Sequence, residues 1–264
     1  MCGTSHDSSQ GVIMSDFRQR CIAFDRVVGI FCAIPHPVAV EVSAAAGPDF
    51  LCIDWEHAQI GRERIEDLIR AADVQRVPAM VRVPAHGSEW TAAVLDAGAA
   101  GVLVPRISTA EQARAAVKAT RFPPLGERGL GPGRATAYGY QIPDYLAAAN
   151  EKLVLAIQVE TAEGLANIDE IVAVEGVDVI FVGPADLAAS LGATTPADAA
   201  RLDAAIVTIA WATRNAGKAA GIFRPMTSDV AKWAEAGVTF FLLGSDARYL
   251  GAGIAAGMEI GRQA

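Results

Sequence analysis

The chain carries eight short apolar, β-branched runs, and each is followed by a longer stretch in which apolar residues recur at spacings of three and four. The runs are 27–34 (VVGIFCAI), 49–54 (DFLCID), 78–83 (PAMVRV), 101–105 (GVLVP), 153–160 (LVLAIQVE), 177–183 (VDVIFVG), 218–223 (KAAGIF) and 238–244 (VTFFLLG). Runs that are apolar on both faces suit a parallel sheet covered on both sides. RERIEDLIRAADV, STAEQARAAVKAT and SDVAKWAEAG read as amphipathic helices between them. Ser108 or Thr109 and Thr227 or Ser228 are their predicted caps, and Gly98, Gly217 and Gly237 their predicted stops. Eight strand–helix units with no break in composition predict an α/β fold, a single TIM (β/α)8 barrel, rather than a doubly wound sheet. One connection, 121–152, is too long and glycine-rich for an ordinary helix-to-strand loop, and is either functional or a surface excursion or subunit contact.

Composition narrows the classes. A formal net charge of −8 without a lysine or arginine cluster argues against nucleic-acid binding. No apolar stretch approaches the roughly 20 residues of a membrane span. Cys2, Cys21, Cys32 and Cys52 show no CxxC spacing and read as reduced thiols, two of them within strands. The N-terminus lacks the marks of a secretory signal, so cytoplasm is the expected location. Residues 1–12 are expected to form a mobile tail, with 13–264 as one barrel domain.

In such a barrel the carboxyl ends of the strands share one mouth, so polar residues ending apolar runs are searched first. Glu160 ends a strand made of Leu153, Val154, Leu155, Ala156, Ile157 and Val159, where a free carboxylate is costly to bury. Gln158 points to the same side, and Asp186 follows the next strand. Two like charges on one rim raise each other's pKa or recruit a cation, and an oxygen-only pair suits Mg²⁺, Mn²⁺ or Co²⁺. The structural alternatives are a salt bridge for Glu160 and a helix N-cap for Asp186.

His57 and Arg82 are similarly double-edged. Asp54, three residues before His57, is placed to accept a proton from a ring nitrogen and fix the tautomer. Arg82 ends the third strand and needs an anion, either Asp54 or Glu56 or a substrate oxyanion. His6, His36 and His86 fall in tail and loops without comparable company. The Gly183–Pro184 turn, with the amides of Ala185 and Asp186, offers a carboxylate site at a helix start.

Taken together, IDWEHA, VRVP, LDAGAAGVLVP, RFPPLGERG, IPDYL, IQVET, VEGVDVIFVGPADL and GKAAGI resemble, in that order, the HpcH/HpaI family of class II pyruvate aldolases. That family includes 4-hydroxy-2-oxoheptanedioate and 2-dehydro-3-deoxyglucarate aldolases, and the likeness runs over most of the chain. It implies a barrel of the phosphoenolpyruvate/pyruvate-domain type. It also implies that a 4-hydroxy-2-oxoacid is cleaved reversibly to pyruvate and an aldehyde through a metal-stabilised enolate. Glu160 and Asp186 would be the metal ligands, Arg82 would face the C2 oxygen, and His57, held by Asp54, would be the acid or base. Gln158 would shape the pyruvate pocket, and Gly183, Pro184 and Ala185 would line the carboxylate site. Asp96 would reach a neighbouring subunit's site in a homo-oligomer, a hexamer built as a trimer of dimers with exchanged C-terminal helices.

The chain departs from familiar members at GIFRPMTSD and GLGPGRATAYGY, which makes Arg224 or Arg134 the expected selector of an acidic or hydroxylated aldehyde. Oxaloacetate decarboxylation would use the same enolate. A CoA-ester lyase is disfavoured because the sequence shows no basic groove for the nucleotide, and a silent oxoacid-binding barrel fits poorly with the set His57, Arg82, Glu160 and Asp186.

Overall fold

A computed structural model describes residues 9–263. Eight parallel strands close into a barrel in sequence order. They are β1 (Val27–Cys32), β2 (Phe50–Asp54), β3 (Ala79–Arg82), β4 (Gly101–Val104), β5 (Val154–Val159), β6 (Val179–Val182), β7 (Ala219–Arg224) and β8 (Val238–Ser245). All eight expected runs form strands. The helices are α1 (Ser9–Ile22), α2 (Pro37–Ala45), α3 (Arg62–Val74), α4 (Ser88–Asp96), α5 (Ala110–Thr120), α6 (Ile142–Lys152), the short α7 (Ala162–Ala166) and α8 (Ile168–Val172), α9 (Pro184–Leu191), α10 (Ala199–Asn215), α11 (Val230–Glu235) and α12 (Asp246–Gln263). Of the expected tail, residues 1–8 lie outside the described residues, and α1 takes up the remainder.

The period of two along each strand separates two cores. Leu51, Ile53, Val81, Leu155, Ile157 and Ile180 face the helices. Phe50, Cys52, Met80, Leu103, Ala156, Phe181 and Phe240 fill the barrel, and Phe17 of α1 stacks on Phe50 with ring centroids 5.2 Å apart. Space inside is fully used: a Cβ on Gly29 would stand 2.6 Å from the Phe50 carbonyl oxygen. Continuing the inward alternation past these apolar residues brings Asp54, Arg82, Gln158 and Glu160 to the carboxyl-terminal mouth. Fold logic and site logic are therefore one pattern.

Helix ends follow the expected chemistry with one exception. Thr109 caps α5 in a capping box with Gln112, and Gly98, Gly217 and Gly237 take positive φ beyond α4, α10 and α11. Asp229, rather than Thr227 or Ser228, precedes α11, and its carboxylate is bonded to Arg224 and to the Trp233 indole. Cys21, Cys32 and Cys52 are free and buried, and burial holds their thiols above the ordinary value. Among the described residues no helix is long and apolar enough to cross a membrane.

The long 121–152 connection contains α6, which packs against α1, and its middle packs against α4. Its anchor is Arg121, 1% exposed, which donates to Asp178 at 2.6 Å and to the Leu153 carbonyl at 2.7 Å. Asp178 also receives Arg18 at 2.7 Å and the Leu155 amide at 2.9 Å. Asp178→Ala would strand the Arg121 charge in the interior, a loss of about 3–5 kcal/mol. Urea unfolding measures it, and a loss below about 1 kcal/mol would show that the cluster contributes little to stability.

Candidate active site

Register sets the first half of the site. Asp54 and Arg82 are direct partners across the β2–β3 pair, so two inward side chains at strand ends meet. The guanidinium forks onto the carboxylate, Nε to Oδ1 at 3.0 Å and a terminal nitrogen to Oδ2 at 2.8 Å, and lies 4.4 Å from the Phe31 ring centroid. Burial works against the Arg82 charge, and the bonds to Asp54 outweigh it, holding the guanidinium above its ordinary pKa. This contact corrects an expectation. Asp54 is spent on Arg82 and on the His57 backbone amide, at 3.2 Å, and holds no His57 ring nitrogen. A planar fork one strand away is a better partner than an imidazole in the loop above.

The imidazole instead stands 3.5 Å from Glu56, with its side chain half exposed. Glu56 is buried, and its Oε2 has no hydrogen-bond partner although it lies 3.5 Å from Arg82 Nε as well. Its Oε1 is 3.7 Å from Arg106 Nε.

The second half comes from β5 and β6. Glu160 is 3% exposed; its Oε1 accepts from the Arg106 amide at 2.9 Å and its Oε2 from the Gln158 side chain. Burial raises its pKa to about 7, against the opposing pull of those two donors, with Asp186 and Glu56 pushing further upward. No arginine or lysine pairs with Glu160 or Asp186 among the described residues, so the salt-bridge alternative for Glu160 falls away. Gly183 is the N-cap of α9, Pro184 its first residue, and Asp186 its third, exposed beside Ala185. The N-cap alternative for Asp186 falls away too. A Cβ at Gly183 would overlap Glu160 Oε2 and stand 2.7 Å from Gln158 Nε2, so only glycine leaves the carboxylate room.

These features fit a hard divalent cation. Two oxygen donors lack a counter-charge, Gln158 Oε1 is buried without a partner, and no third acid, histidine or cysteine converges on the pair among the described residues. Two protein ligands leave positions for water or substrate. The amides of Ala185 and Asp186 lie in the first turn of α9, where helix N–H groups have no intrahelical acceptor.

Other expected residues lie elsewhere. Arg224 ends β7 but is paired with Asp229, so its charge is already met. Arg134 binds Asp73 in the last turn of α3 and the Ala97 carbonyl just past α4, which is the opposite end of the barrel from the mouth. Asp96, in the last turn of α4, accepts from Arg128 at 2.7 Å, so within one chain it stands apart from Glu160. Three mouth residues escaped the sequence reading. Glu56 was visible there only as a partner for Arg82. His86 meets the Pro105 carbonyl at 2.7 Å, and Arg106 has a left-handed backbone, φ 56. Nothing in an arginine signals positive φ.

The raised Glu160 pKa fixes a direction for stability. The folded chain keeps this proton where the unfolded chain, near pH 4.5, has lost it, so stability falls as pH rises from about 4.5 to about 7. In metal-free protein, Glu160→Gln should relieve a cost of about 3 kcal/mol at pH 8 and little at pH 5. Chemical denaturation at both pH values measures it; equal effects would mean that Glu160 is not held protonated.

Comparison with known proteins places the chain in a family. The family model described as HpcH/HpaI aldolase/citrate lyase matches residues 27–251. A hydroxypyruvate/pyruvate aldolase of Roseovarius nubinhibens is 39% identical over 232 residues, 87% of this chain and 90% of that protein. A 5-keto-4-deoxy-D-glucarate aldolase of Klebsiella pneumoniae is 36% identical over 89% of this chain and 92% of its own. The crystal structure of an HpcH/HpaI aldolase/citrate lyase family protein from Burkholderia cenocepacia superposes with a TM-score of 0.89 at 35% identity, covering 94% of this chain and 99% of that one. With its barrel and its relatives in accord, the chain belongs to the HpcH/HpaI aldolase/citrate lyase family.

Proposed function

We propose that this protein is a divalent-metal-dependent aldolase, a carbon–carbon lyase that reversibly cleaves a 4-hydroxy-2-oxoacid to pyruvate and an aldehyde. The observation that carries this reading is the buried Glu160, paired with no cation and set on the same rim as Asp186 and Arg82. Relatives named as hydroxypyruvate/pyruvate and 5-keto-4-deoxy-D-glucarate aldolases support the reaction class.

Glu160 and Asp186 would hold Mg²⁺, Mn²⁺ or Co²⁺. Such an ion supplies Lewis-acid stabilisation to the negative charge that develops on the oxoacid's C2 oxygen. The Ala185 and Asp186 amides bind the oxoacid carboxylate at the start of α9, and Gly183 and Pro184 line its site. Gln158 orients Glu160 and keeps one buried oxygen free for the bound molecule. Arg82 spends Nε and one terminal nitrogen on Asp54, and its other terminal nitrogen remains to face the C2 oxygen. His57, on the open side of the mouth beside Glu56, moves the proton between the C4 hydroxyl and solvent.

The last helix bears on assembly. α12 exposes Leu250, Ile254 and Met258 at a spacing of four, and a groove of about 840 Å³ between α2 and α12 is lined by Val28, Ile34, Val38, Val42 and Leu243. A hexamer exchanging this helix between subunits would cover both, and would set Asp96 near a neighbour's mouth. Ile254→Asp with Met258→Asp should therefore lower the mass by light scattering; a wild-type monomer would contradict the assembly.

Pyruvate release from 4-hydroxy-2-oxoacids should stop with EDTA and return with Mg²⁺, Mn²⁺ or Co²⁺, whereas turnover indifferent to chelation would end the metal reading. Arg82→Lys keeps a cation for Asp54 but loses the fork, and kcat/KM should fall about 10²-fold. Arg82→Ala is the poorer test, because it leaves Asp54 and Glu56 buried without their cation at a cost of about 3–5 kcal/mol.

A further inference from the structure

Arg134 lies at the far end of the barrel and Arg224 gives Nε and one terminal nitrogen to Asp229, and the mouth carries another cation. Arg106 follows β4, and its backbone is pinned on three sides. Its amide donates to Glu160 at 2.9 Å, the Ile107 amide donates to the Gln158 carbonyl at 2.9 Å, and the Pro105 carbonyl meets His86 Nε2 at 2.7 Å. With φ at 56, the residue holds a conformation that L-amino acids rarely adopt. Strain of this kind persists where the surroundings over-determine it, and it gathers at functional sites.

The turn aims its amide at Glu160 and sends its side chain across the mouth. Nε reaches to 3.7 Å from Glu56, which follows β2, although β3 and Arg82 lie between β4 and β2. The side chain thus arches above Arg82. It is 69% exposed, and its terminal nitrogens have no partner among the described residues. With Nε turned to Glu56, the edge formed by the two terminal nitrogens is left to an incoming molecule. That edge matches the two oxygens of a carboxylate.

We propose that Arg106 selects the acceptor aldehyde by binding a carboxylate on it, so that semialdehydes of dicarboxylic acids are preferred over uncharged aldehydes. This rests on the aldolase reading above. The test compares wild type with Arg106→Gln in carbon–carbon bond formation from pyruvate, with succinic semialdehyde and with butyraldehyde, an uncharged acceptor of the same chain length. The ratio of kcat/KM for the charged over the uncharged acceptor should fall about tenfold or more, the loss of one charge-assisted contact, mostly through KM. Arg106→Lys should restore part of it. Equal losses on both acceptors would overturn the proposal and make Arg106 a support for Glu160. Deuterium exchange into the pyruvate methyl group by wild type, without aldehyde, reads the oxoacid site separately. Exchange with an unchanged acceptor ratio defeats Arg106 alone, whereas no exchange with any divalent metal defeats the aldolase reading and this one with it.

Discussion

A carboxylate buried without a counter-charge is the constraint on which this site depends. Glu160 lies 3% exposed at the end of β5, and burial raises its pKa to about 7. Two neutral donors, the Gln158 amide and the Arg106 backbone, hold it in place without cancelling its charge. A cation that binds here gains electrostatic energy that the metal-free chain lacks. The glycine at 183 belongs to the same device, since any side chain there would fill the space beside the carboxylate.

Across the mouth the logic is reversed. Arg82 is paired with Asp54 through a fork between adjacent strands and packs on Phe31, with one terminal nitrogen left over. Its position is thereby set by the β2–β3 register rather than by a loop. A rigid cation opposite an anionic pocket in want of charge suits a reaction in which negative charge appears on one oxygen between them. The aromatic interior below, Phe17, Phe50, Phe181 and Phe240, fixes the strands and therefore the distance across the mouth.

What the sequence revealed follows from local periodicity. Strands alternate in twos and helices close with glycine, so β1–β8 and the rank Asp54, Arg82, Gln158, Glu160 could be read directly. What escaped depended on partners distant in sequence or on backbone angles. The sequence offers Asp54 both to His57, nearest in the chain, and to Arg82, 28 positions on, and only the strand register decides for Arg82. Arg134 sits in a loop that winds back to the wrong end of the barrel, where Asp73 receives it. Arg106 needed the β4 turn to be seen. The Arg224 pair was more readable, because Asp229 stands only five residues away.

The central claim is that Glu160 and Asp186 share one divalent ion. Electron paramagnetic resonance titration with Mn²⁺ tests it without turnover. The account predicts one tightly bound ion per chain, lost in both Glu160→Gln and Asp186→Asn, with a spectrum that changes when pyruvate is added. Equal Mn²⁺ binding in wild type and both variants, or a spectrum indifferent to pyruvate, would contradict it.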